Sequence, residues 1–165
     1  MKSKAALKSV VRRTLDAPVD VVYRVWTEPE YAAMWSWGRA FETVSVEIDG
    51  RVGGMWRQQV RDRKSGELWS FDGEFRELVP HRRLVQTFHW ASDRGVDHGT
   101  SLVSVDFKGR DGKTDIVITH TQLPNEKERK ATEDGWEDVL DCVDKCLPAA
   151  MTDRRSGRHS VPRQK

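Results

Sequence analysis

Three polar side chains interrupt an otherwise apolar set of alternating residues: Gln58, Gln86 and His120. A buried amide or imidazole without a partner costs about 1–3 kcal/mol, so each must be satisfied by a neighbour, by water or by a bound molecule. Groups of this kind orient a ligand, and His120 can also move a proton near neutral pH. General acid–base work needs a second group within reach, however, and no acidic residue shares the strand face of His120. No catalytic residue is therefore assigned. Asp93, Asp97 and His98 fall close together, but their spacing matches no established metal site and reads as a solvated loop. Cys142 and Cys146 lie four apart in a helical pattern, where disulfide geometry is poor and no nearby histidine completes a zinc set. With no glycine-rich phosphate loop, serine elbow or HExxH pattern, neither a metal nor a cofactor is expected.

The elements that must position these residues follow from changes in hydrophobic period. Residues 6–15 read as a first strand, and Asp16-Ala17-Pro18 as a helix entry with Pro18 at the first helical position. Val22, Val25 and Trp26 supply the apolar stripe of that helix. Pro29 restarts a second short helix, with Met34 and Trp35 expected on its buried side. Strand patterns then follow over 41–48, 55–63, 67–78, 83–91, 100–108 and 113–122, joined by short turns that include Gly109-Arg110-Asp111-Gly112, with a polar loop at 92–99. Asn125, three residues before Glu128, caps a long amphipathic helix that carries Trp136, Val139, Leu140, Val143, Cys146 and Leu147 at helical spacing. Its end is expected near Pro148. The fold class is thus α+β: a first strand, two short helices, six antiparallel strands and a C-terminal helix.

Alternation divides the strands into two faces. Trp56, Val60, Trp69, Phe71, Phe75, Leu84, Phe88, Trp90, Val103, Val105, Phe107, Ile116 and Ile118 share one face with the three polar residues, while the opposite face is charged and hydroxylic. Only the C-terminal helix is long enough to cover the apolar face. A curved sheet is not filled by one helix, so a cavity is expected between them, with the small residues Thr132 and Gly135 leaving its mouth open. Trp35 and Trp37, after the second helix, are expected either to rim that entrance or to anchor the helix.

The chain has 165 residues, 37% hydrophobic, with seven Trp and five Phe, which is enough for one core and excludes a natively unfolded chain. Its longest stretch without a charged residue, 116–125, spans ten residues, about half a membrane-crossing helix. Lys8 interrupts the N-terminal apolar run, so no secretory signal is read; a soluble, cytoplasmic protein is expected. The net charge is +2, yet residues 152–165 alone contribute +4, leaving −2 on residues 1–151. A folded part of that sign does not neutralise phosphates, which argues against nucleic acid as a partner. The expected division is a single domain over 1–151 and a basic, disordered tail over 152–165.

Asp16-Ala17-Pro18, Trp26-Thr27-Glu28-Pro29-Glu30, Val52-Gly53-Gly54-Met55-Trp56-Arg57, Gly73-Glu74-Phe75, Arg83-Leu84-Val85, Thr119-His120 and Gly135-Trp136 occur in the order seen in the SRPBCC, or START-related, superfamily. More narrowly, the chain resembles bacterial homologues of the activator of the heat-shock-protein-90 ATPase over about Val10 to Leu147. The resemblance implies a helix-grip fold like that of the birch-pollen allergen, a seven-stranded curved sheet wrapped around the C-terminal helix with an apolar cavity between. The superfamily includes lipid and steroid carriers, hormone receptors and aromatic polyketide cyclases, so the fold does not choose among them. It commonly has a histidine where this chain has His120, whereas the narrower family has apolar residues where this chain has Gln58 and Gln86.

These readings converge on a small, mostly apolar ligand, aromatic or lipid-like. Its expected contacts are Trp56, Gln58, Trp69, Phe71, Phe75, Gln86, Phe88, Trp90, Val105, Ile118, His120 and Trp136. Two alternatives stay open. One is a cyclase- or hydrolase-type enzyme with His120 as acid or base. The other is a protein-interaction module that, like the chaperone activator, uses the outer surface.

Overall fold

A computed structural model describes residues 7–35 and 37–156. Its elements are β1 (Leu7–Leu15), α1 (Val19–Thr27), α2 (Pro29–Ala32), β2 (Phe41–Ile48), β3 (Met55–Asp62), β4 (Leu68–Val79), β5 (Arg83–Ser92), β6 (Asp97–Arg110), β7 (Lys113–Leu123) and α3 (Glu126–Ser156). All seven strands form one antiparallel sheet in the order β1-β7-β6-β5-β4-β3-β2, so the first and second strands are its two edges. The fold is the expected α+β helix grip, a curved sheet around a C-terminal helix. Register shifts at Leu7/Ser9, Thr43/Ser45, Phe75/Glu77 and His89/Ala91 mark bulges, the local device by which a sheet bends. The β6–β7 hairpin closes through Asp111 and Gly112, both at positive φ (53° and 76°), as a tight hairpin turn demands.

The alternation read from sequence is the burial pattern observed. Trp56, Val60, Phe71, Phe75, Leu84, Phe88, Val103, Val105, Phe107, Ile116 and Ile118 are all buried, together with Gln58, Gln86 and His120. Gly73 is required by a close approach across this face. The Trp56 indole on β3 passes over it to donate to Thr87 O on β5 at 3.2 Å, and a Cβ on Gly73 would sit 1.9 Å from that same oxygen.

Helix α3 packs against β1, β7 and α1. Asn125 Oδ1 accepts from the Glu128 N–H at 2.8 Å, the cap expected from sequence. Arg13 on β1 reaches Glu137, Asp141 and Asp144 on α3 at 2.8, 2.9 and 3.3 Å, tying the helix to the sheet edge.

Three local expectations are corrected. The helix does not stop near Pro148 but runs through it to Ser156, because Ala150 is fully buried and Met151 packs on the core. That burial offsets the proline's missing N–H donor. Thr152 to Ser156 of the expected tail are thus helical, and 157–165 lie outside the described residues. Met34 is exposed, while Trp35 is buried and donates to Val25 O at 3.0 Å, because α2 ends after one turn at Ala32. The polar loop before β6 is shorter than read, since Asp97 to Gly99 already belong to the strand. Among the described residues no helix is long and apolar enough to cross a membrane.

Candidate functional site

Facing β4 and β5 with aromatic residues at alternate positions brings their rings into register. Phe71 on β4 lies opposite Trp90 on β5, their rings nearly parallel with centroids 5.4 Å apart. On its other side Phe71 stacks on Trp37 at 4.8 Å and 9°. Trp90 carries His98 at 4.1 Å and 12°, and Trp37 is followed inward by Trp56 at 6.1 Å and 28°. The result is a ladder of five rings, from Trp56 in the core to His98 at the start of β6. Phe88 stands edge-on to Trp37 and Phe71.

His120, on β7, sits beside this ladder with both ring nitrogens engaged. The Trp136 indole donates to Nδ1 at 3.0 Å, and Ser101 Oγ lies 2.6 Å from Nε2. An indole N–H can only donate, so Nδ1 accepts and the neutral ring carries its hydrogen on Nε2. Nε2 then donates to Ser101, whose hydroxyl donates onward to Phe88 O at 3.3 Å. Burial pushes the imidazole pKa down to about 4, so the neutral form prevails at pH 7. A serine activated by histidine needs the opposite tautomer, with Nε2 free to take the hydroxyl proton. Trp136 therefore sets His120 in the form that cannot activate Ser101. Among the described residues no carboxylate is hydrogen-bonded to His120 or Ser101 to complete a proton relay.

Between the sheet and the first half of α3 lies a cavity of about 180 Å³. The sheet contributes Phe41, Phe71, Phe88, Trp90 and His120, and the segment before β2 contributes Trp37. The helix contributes Glu128, Ala131, Thr132, Gly135, Trp136 and Val139, whose three- and four-residue spacing places them on one face. Gly135 is exposed at the mouth, and a Cβ there would meet no heavy atom within 4 Å. A second cleft of about 250 Å³ shares Trp90, His120, Glu128 and Thr132 with the first and adds Asp97, His98, Thr100 and Ser101, among others. Deeper in, the space closes: Trp26, Trp35, Trp37, Trp56, Gln58, Phe75 and Gln86 surround a void of only about 10 Å³. Among the described residues no group of three or more His, Cys, Asp or Glu side chains could hold a metal ion. Cys142 and Cys146 form no disulfide, and burial pushes the Cys146 thiol up to about 11.

A sequence model of the family described as Activator of Hsp90 ATPase homolog 1-like protein matches residues 16–147. The chain belongs to that family. No curated protein matches the sequence. Among solved structures, an uncharacterised protein from Rhizobium leguminosarum is 26% identical, with TM-score 0.75, over 87% of this chain and 95% of that one. The AHSA1 protein from Silicibacter pomeroyi superposes with TM-score 0.76 at 15% identity, over 87% of this chain and 99% of that one. CalU16 from Micromonospora echinospora is 22% identical with TM-score 0.62, over 89% and 80%. The last two likenesses show the fold alone.

Within this AHSA1-like fold, the structure places five of the twelve sequence-expected contact residues, Phe71, Phe88, Trp90, His120 and Trp136, in the wall of one cavity. Trp69 backs that wall, tilted against Trp90 with centroids 4.8 Å apart. Trp56, Gln58, Phe75 and Gln86 surround the small void instead. Gln58 Oε1 accepts from Trp37 Nε1 at 2.9 Å, and its Nε2 is buried without a hydrogen-bond partner among the described residues. Val105 and Ile118 lie in the core with no exposed surface. Sequence reasoning left Trp37 open and missed Phe41, Glu128, Ala131 and Val139. Trp37 and Phe41 fall where the chain leaves one period and enters another, so no alternation assigns them a face. Glu128 was read only as part of a cap, although its four-residue spacing to Thr132 was already a signal.

Proposed function

We propose that this protein binds a small, mostly apolar molecule carrying one aromatic ring in the cavity between β4, β5, β7 and α3. The observation that carries this reading is the wall itself: Trp37, Phe71, Phe88, Trp90 and Trp136 around about 180 Å³ that opens beside Gly135. Apolar cavities of roughly 150 Å³ accommodate one benzene-sized ring, so the size favours a single ring over a steroid or a long lipid chain. With Phe41, six Phe and Trp side chains supply contact area at little entropic cost. The Ser101–His120 contact is the feature an enzyme would use, but the Nε2–H tautomer and the depressed basicity of the imidazole oppose hydrolase chemistry there. Cytoplasmic residence and a single ligand-binding domain belong to the same proposal and rest on sequence alone.

Three tryptophans in the wall make the test direct. Titration with 2-phenylethanol, followed by tryptophan fluorescence and by calorimetry, should give saturable binding of one molecule per chain. A linear, unsaturable response to 2-phenylethanol and to other single-ring compounds overturns the reading.

A further inference from the structure

The wall is not chemically even. Its two deepest indole N–H groups are spent, Trp37 on Gln58 and Trp136 on His120, and His120 spends both nitrogens on Trp136 and Ser101. Glu128 remains as the one carboxylate among the described residues of the wall, at the boundary that the cavity shares with the second cleft. Among the described residues its half-buried carboxylate makes no ion pair closer than that with His98 Nδ1 at 4.0 Å. The neighbouring Arg129 is turned to Glu126 and Glu133, at 2.8 and 3.2 Å, and does not line either space. The second cleft adds a further carboxylate, Asp97, and, among the described residues, no lysine or arginine. An anionic group entering here would face carboxylates with, among the described residues, only the imidazoles of His98 and His120 as basic side chains, while a cationic group would meet an acceptor of opposite charge in a partly desolvated setting.

Resting on the ring-binding reading above, we infer that the ligand class is an aryl-alkyl amine in its ammonium form, the ring packed against Phe88 and Trp136 and the nitrogen on Glu128. Spacing supports this. Glu128 and Thr132 are one helical turn apart, about 6 Å along the axis, which is the reach of a two-carbon arm from a ring lying at the level of Thr132 and Gly135.

Three probes with one ring and matched arms separate the two readings: 2-phenylethylamine, 2-phenylethanol and phenylacetate, titrated at pH 8, above the ordinary range of histidine titration. The amine is expected to bind about tenfold or more tighter than phenylacetate, the magnitude of one partly desolvated charge contact. Glu128→Gln should bring the two within about threefold of each other. Phenylacetate binding as tightly as the amine, or an amine preference that survives Glu128→Gln, overturns the inference while the ring-binding reading stands. Absence of binding by all three overturns both.

Discussion

His120 illustrates how one donor fixes the chemistry of a neighbour. Trp136 holds Nδ1 as an acceptor at 3.0 Å, and the desolvated ring refuses a proton down to about pH 4. An unfolded chain exposes the same imidazole, which then titrates near 6.5. The folded pKa is the lower one, so the unfolded state binds more protons between pH 6.5 and 4. The contribution of His120 to stability is therefore complete above pH 6.5 and is lost as the pH falls towards 4. From these two values the loss at pH 4.5 is roughly 2–3 kcal/mol. Urea unfolding at pH 7 and pH 4.5, for the natural protein and for His120→Gln, isolates the effect from the other titrating groups. The natural protein should lose roughly 2–3 kcal/mol more over that interval than the variant. Equal losses would mean that the ring is solvated enough to protonate in place. The residue is also a measure of what was legible. Its burial followed from alternation, but its tautomer did not, because the Trp136 donor comes from another element 16 residues away.

At the scale of elements, the strands were readable where they alternate, as β3 and the middle of β4 do, and the start of α3 because Asn125 and Glu128 stand at capping distance. The end of α3 was not. Proline inside a helix costs about 3 kcal/mol, a local rule that favours a stop at Pro148. What overrides it is tertiary: Ala150 has no exposed surface, Met151 packs on the core, and Thr152 Oγ1 donates to Pro148 O at 3.0 Å. No local pattern announces such a contact. Removing residues 149–165 therefore tests the element directly. If the last turns of α3 bury apolar surface against the core, the truncated chain should be less stable by about 1–3 kcal/mol in chemical denaturation, the scale of one or two small side chains removed from water. An unchanged midpoint would return the end of the helix to Pro148.

For the molecule as a whole, the question is how a sheet and a helix meet without filling the space between them. At the end lined by Trp26, Trp35 and Trp56 they do fill it, leaving about 10 Å³, and at the other end they leave about 180 Å³. The sequence implied a hollow from the curvature of the sheet, but not that tryptophans from the segment after α2 would plug half of it and strand Gln58 and Gln86 in the plugged half. Trp37 belongs to no periodic run, and Trp35 lies beyond the single turn of α2, so only the folded chain shows which way they turn. Gly135 shows the opposite balance. A glycine inside a helix is less favourable than alanine by about 0.8–1 kcal/mol, and here nothing within 4 Å excludes a side chain. Neither packing nor backbone geometry demands this glycine. Gly135→Ala should accordingly raise stability by up to about 1 kcal/mol. Gly135→Phe should keep a comparable melting temperature while its ring enters the mouth and weakens binding of 2-phenylethanol by about tenfold or more, the loss of roughly one ring's contact. If Gly135→Phe binds the probe as the natural protein does, the mouth lies elsewhere and the route into the cavity must be redrawn through the cleft of Asp97, His98 and Gln122.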